Sequence, residues 1–206
     1  MVFSLLASAI SALFRLGPWA AWASALLLGT ALVGYAVVSR DAFFRRLLVF
    51  GAVVGLGELV SDHFAVVTTG TLVYPPVGPF LVASPAYMPL AWMGMMAQLG
   101  SLADVATRRW GLARATLGLM VLGGINIPFY ETMARRAGFW HYRSTPMIFG
   151  ATPWYVILGE VLLSAALPLA VSGVSRRGVW GAVLLGVAQA AWTYASSVLA
   201  FALVGR

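Results

Sequence analysis

Glu58 and Asp62 stand four residues apart in the run GELVSDHF, so on a helix their side chains share one face. Two carboxyl groups on one apolar face cannot both ionise readily, because low dielectric and like charge each penalise the second anion. At least one then remains a neutral acid able to deliver a proton at neutral pH. Glu131 and Glu160 lie in two further apolar runs. An ionisable group in hydrocarbon is costly unless it is paired, neutralised or facing a cavity, so all four are candidate catalytic residues. The other two acids, Asp41 and Asp104, stand near arginines.

Each of the four also has a plain structural reading. Asp62 could cap its helix at the membrane interface while Glu58 hydrogen-bonds a neighbouring helix. Glu131 has Arg135 at i+4, the spacing of a helical ion pair. Asn126 and Pro128 precede it, and the proline leaves a carbonyl without its helical donor. Glu160 has no basic residue within a turn on either side, so a protonated side chain bonded to a neighbouring helix would account for it. His63 and His141 are the only histidines. With Glu58, Asp62 and Glu131 they could form a carboxylate-rich metal site, but no HExxH or ExxH spacing occurs, so no metal is expected.

Aromatic residues crowd the same regions: Tyr74, Tyr87, Trp92, Tyr130, Trp140, Tyr142, Trp154 and Tyr155. Tyr and Trp commonly anchor helices at the membrane interface. Beside a neutral carboxyl group they have a second use, since protonating an alkene makes a carbocation that ring faces stabilise. His63, Tyr74, Tyr87, Trp92, Asn126, Tyr130, Trp140, Tyr142 and Trp154 are therefore expected to line a substrate pocket.

These residues need helices to position them. Of the 206 residues, 61% are hydrophobic and 9% charged, against roughly 25% charged in soluble domains. The chain reads as one all-α integral membrane domain. All 13 basic residues are arginines in short clusters between apolar runs, giving net charge +7. That pattern meets lipid phosphates and lacks the interleaved basic and aromatic surface of a nucleic-acid binder. With no cysteine, disulfides, thiolate metal sites and a cysteine nucleophile are excluded.

Apolar runs long enough to span predict six helices at 18–38, 47–66, 84–106, 115–134, 151–173 and 179–203. Residues 2–15 read as a short interfacial helix, with a seventh span as the alternative. Loops 39–46, 107–114 and 174–178 carry eight of the arginines, so their side is cytoplasmic by the positive-inside rule, and a bacterial inner membrane is the expected location. A shift of 68 residues superposes Gly70 on Gly138, Tyr74 on Tyr142, Pro85 on Pro153 and Tyr87 on Tyr155. This predicts two parallel tandem repeats, at about 47–106 and 115–173, flanked by helices within 1–38 and 179–203. The site is expected between them.

GELVSDHF, TGTLVYPPVGP and SPAYMPLAW, followed by FYETMARRAGFWHYR and FGATPWYVILGE, resemble the membrane carotenoid-biosynthesis superfamily of carotenoid hydratases and small integral-membrane lycopene cyclases. Small membrane terpene cyclases are similar in size and in relying on intramembrane carboxyl groups. The resemblance covers about half the chain. It implies a cofactor-free enzyme that protonates a polyene or terpenoid and traps the cation by ring closure or by water, with a lipophilic isoprenoid and membrane lipids as its partners. The chain departs from the pattern in the first copy, where His63 holds the position seven before Gly70 that Glu131 holds before Gly138. A transporter with carboxyl groups along a polar path, or a scaffold with no cavity, would share much of this sequence character.

Overall fold

The computed structural model describes residues 2–206, apart from the side chain of Val2. Seven helices run through them: α1 (Val2–Phe14), α2 (Pro18–Ser39), α3 (Ala42–His63), α4 (Met88–Trp110), α5 (Leu112–Ala137), α6 (Trp154–Arg176) and α7 (Val179–Val204). The protein is all-α, and α2, α5, α6 and α7 are long and apolar enough to cross a membrane. Packing closes α3, α4, α5, α6 and α7 into a ring, with α2 against α4 and α1 against α5.

The arginine-rich connections are shorter than expected. Residues 42–46, placed in a loop by their charge, open α3, because the Asp41 carboxylate accepts from the Phe43 and Phe44 amides at 2.9 and 3.1 Å. Such a cap satisfies amides that the first turn leaves free. Residues 107–114 likewise reduce to one hinge residue, Gly111, whose φ of 79° only glycine adopts freely. Arginine stems can lie along a helix end while the guanidinium reaches water, so charge did not break these helices.

Two longer connections lie at the other end. The first contains a π-helical turn (Phe64–Thr68) and strands β1 (Leu72–Val73), β2 (Phe80–Leu81) and β3 (Ser84–Pro85). The second contains β4 (His141–Tyr142), β5 (Met147–Ile148) and β6 (Thr152–Pro153). β2 pairs with β3 and β5 with β6, while β1 pairs with β4 and so ties one connection to the other. The segments 84–87 and 151–153, expected inside spans, belong to these hairpins, and the prolines set where α4 and α6 start.

Gly51 and Gly55 of α3 form a GxxxG step against the carbonyls of Met93 and Pro89 on α4. Small residues at this spacing let helix backbones approach closely where no hydrophobic effect drives them together. Next to them, Leu47, Phe50, Val54, Met96, Leu167, Val171 and Val174 fill the arginine-rich half of the ring as one packed core. Gly55→Leu forces a side chain into the Pro89 carbonyl and should cost about 1–3 kcal/mol, whereas at Gly34 a Cβ meets nothing within 4 Å. Thermal unfolding in detergent should therefore fall clearly for Gly55→Leu and hardly for Gly34→Leu.

Candidate functional site

Above that core the ring encloses a cavity of about 290 Å³. The buried carboxyl groups of α3 reach it as expected: Glu58, Ser61, Asp62 and Ala65 follow one helical face into its wall. Glu131 enters from α5 and Glu160 from α6, so four carboxyl groups from three helices share one chamber. Among the described residues, no arginine and no histidine lines it.

The carboxyl groups differ in their partners. Asp62 accepts from the Tyr74 hydroxyl at 2.8 Å. Glu131 accepts from the Trp140 indole at 2.6 Å and from the Tyr142 hydroxyl at 3.3 Å. The alternative reading, an ion pair with Arg135, does not hold, because Glu131 lines the cavity while Arg135, four residues on, lies exposed on the outer side of α5. Glu58 is 7% exposed, yet its Oε2 has no hydrogen-bond partner, and Ser61 Oγ and Tyr87 OH are buried in the same state. A buried polar atom without a protein partner is costly, and at a cavity wall it is open to water or another bound molecule.

The donors come from the paired connections. With Leu72 opposite Tyr142 and Val73 opposite His141, the β1–β4 ladder brings Tyr74 and Tyr142 to neighbouring carboxyl groups. Burial pushes both phenols well above their ordinary value, and the adjacent carboxylate, Asp62 for Tyr74 and Glu131 for Tyr142, adds to it. They stay protonated and donate.

The spacing of the two sets differs by one residue, twelve from Asp62 to Tyr74 and eleven from Glu131 to Tyr142. The π-helical turn lies between Asp62 and Tyr74. A π turn takes one residue more than an α turn, so it carries Asp62, in place of His63, to the position that answers Glu131.

Tyr74, Tyr87, Trp92, Tyr130, Trp140 and Tyr142 line the cavity as the sequence predicts, and Asn126 lines it at its exposed rim. Trp140 is the hub of the aromatic wall, with ring centres 6.1 Å from Tyr74 and 5.9 Å from Tyr130. Two expected residues must be corrected. His63 is exposed and faces away, since Asp62 takes the inward position and the next residue turns about 100° round the helix. Trp154 opens α6 at 47% exposure, while the inward face of that helix runs through Tyr155, Gly159, Glu160 and Leu163.

Several lining residues escaped the sequence reading. Tyr155 holds Thr71 at 2.7 Å, and its match with Tyr87 in the 68-residue shift was the available signal. Ser4 and Ser8 of α1 also line the cavity, and Ser4 donates to Gln98 at 3.1 Å. Their signal was a serine stripe, with Ser11, on a helix otherwise apolar.

The family profile of DUF6989 matches residues 59–204, from the last turns of α3 to the end of α7. The chain belongs to that family, described as a domain of unknown function. No curated protein and no solved structure matches it. The matched region contains Asp62, Glu131 and Glu160, and Glu58 lies one residue before it.

Trp140→Phe keeps the ring and removes the shorter of the two bonds to Glu131. A hydrogen bond contributes about 0.5–1.5 kcal/mol net, so the variant should unfold in detergent at lower temperature. Tyr142→Phe, which loses a 3.3 Å bond, should lose less. Equal stability of all three proteins would contradict the assignment of Glu131 as the acceptor of these bonds.

Proposed function

We propose that this protein is an intramembrane isoprenoid cyclase or hydratase that protonates a double bond or epoxide and stabilises the resulting carbocation. The observation that carries the reading is the set of four carboxyl groups in one aromatic-walled cavity that, among the described residues, no cationic side chain reaches. Water-poor surroundings keep an unpartnered acid neutral, and π faces stabilise a cation without trapping it as a base would.

Glu58 is the proton donor in this reading. Asp62 is held by Tyr74 and Glu131 by Trp140 and Tyr142, bonds that favour their charged forms. Glu58 keeps an oxygen free for substrate. Its proton forms a C–H bond with the π electrons of the alkene, or opens a C–O bond of an epoxide, leaving a tertiary cation beside Trp140, Tyr130 and Tyr74. That cation either adds to a second double bond of the same chain, closing a ring, or is captured by water. Loss of a proton to Glu131 or Glu160 ends the sequence, and proton return to Glu58 resets it.

A volume of 290 Å³ is that of roughly ten waters at 30 Å³ each. It suits the reacting end of an isoprenoid, with the remainder leaving through the side where Phe3, Leu5 and Asn126 are exposed. The similarity of the two connections, each with a carboxyl-binding tyrosine and a proline-ended hairpin, supports two parallel repeats with the site between them. Helices α3 and α4, of 22 and 23 residues, reach about 33 Å at 1.5 Å per residue. They complete six spans, with α1 as a half-helix and the arginine-rich end in the cytoplasm of a bacterial inner membrane.

A proton-coupled carrier would need a polar path to both faces. The apolar core around Phe50 and Val171 stands against it, since it fills the bundle beneath the cavity. A scaffold has no use for a chamber of unpaired polar groups.

The test is expression in a host supplied with lycopene or with a prenylated epoxide, followed by analysis of extracted lipids. A cyclised or hydrated product is expected. Glu58→Gln should lower its formation at least 100-fold, the scale of general acid catalysis, with the protein still in the membrane, and Glu131→Gln should abolish it too. Unchanged substrates of both classes, together with solute movement across vesicles holding the purified protein, would overturn the reading.

A further inference from the structure

A second hollow, of about 800 Å³, lies on the outer face of α5, behind the wall that carries Glu131. Its polar lining is Arg15, Arg135, Arg136 and Thr132, and its apolar lining includes Ile125, Phe129 and Phe149. No acidic residue lines it. Among the described residues the one ion pair, Arg108 with Asp104, belongs to α4 at the other end of the bundle.

The three arginines come from the turn after α1 and the last turn of α5, which a backbone hydrogen bond joins. The Gly17 amide donates to the Ala137 carbonyl at 2.9 Å, fixing the turn after α1 to the end of α5. Arg15 sits in that turn with φ of 51°, a conformation uncommon for a side chain other than glycine or asparagine. Arg135 reaches under the β5–β6 hairpin, where a Cβ on Gly150 would stand 3.3 Å from its guanidinium nitrogen. Arg135 and Arg136 also complement the negative end of α5, but that accounts for neither Arg15 nor the hollow.

We propose that this groove binds the phosphate of an anionic membrane lipid, with an acyl chain laid along α5. Guanidinium groups match phosphate oxygens in a bidentate fashion, and basic hollows beside spanning helices recognise anionic headgroups. Ile125 and Phe129, 71% and 56% exposed, continue from the arginines along the helix as an apolar track that a free phosphate would leave uncovered. The site is separate from the cavity and does not depend on what that cavity does.

The experiment embeds the full chain in mixed phosphatidylglycerol and phosphatidylcholine bilayers and measures retained lipid by native mass spectrometry. Wild-type protein should retain phosphatidylglycerol preferentially. The combined variant Arg15→Gln, Arg135→Gln, Arg136→Gln should lose that preference at least tenfold, while each single variant loses part of it. A control that replaces Arg108, Arg109 and Arg114 at the opposite end should keep it at this site. Inorganic phosphate at millimolar concentration should not displace the lipid. An unchanged preference in the triple variant, or displacement by phosphate alone, would overturn the proposal.

Discussion

Four carboxyl groups held in an apolar chamber without a cation set the terms for the rest of this bundle. Charge buried in low dielectric is tolerated only where hydrogen bonds, proton uptake or a ligand offsets its lost hydration. The protein uses the first means for Asp62 and Glu131, through Tyr74, Trp140 and Tyr142. Glu58 receives none at one of its oxygens. The side chains therefore differ in their bonding, Asp62 and Glu131 being held by phenol and indole donors while Glu58 is free at one oxygen.

The irregular connections make this arrangement possible. Regular spanning helices would carry the acids but supply no phenol or indole at the right depth. The β1–β4 pair folds the two connections over the mouth of the ring, and the π-helical turn adjusts α3 by one residue so that Asp62 meets Tyr74. Beneath, the GxxxG contact of α3 with α4 and the core around Phe50 close the arginine-rich end. The chamber lies between these two closures.

Much of this was legible from residue types. Acids in apolar runs had to face a cavity or one another, and all four do. The aromatic set was largely found, because Tyr and Trp recur at matching places around the two connections. What sequence could not reveal was rotation. His63 and Trp154 lie one residue from inward-facing neighbours, and nothing in an almost uniformly apolar helix marks which face turns in. The π-helical turn has no signature in FAVVT, and it is the reason the ungapped shift matches Glu131 with His63 where Asp62 takes the inward position. Helix ends differ from the sequence expectation for a related reason: charge alone places the arginines in loops, whereas their long stems let the helix continue beneath them.

The central claim is that Glu58 carries a proton in the resting protein, and infrared spectroscopy of the bilayer-embedded protein at neutral pH tests it most directly. The account predicts a carbonyl stretch of protonated carboxylic acid that loses intensity in Glu58→Gln. A spectrum with ionised carboxylates only, or a band of unchanged intensity in Glu58→Gln, would contradict it.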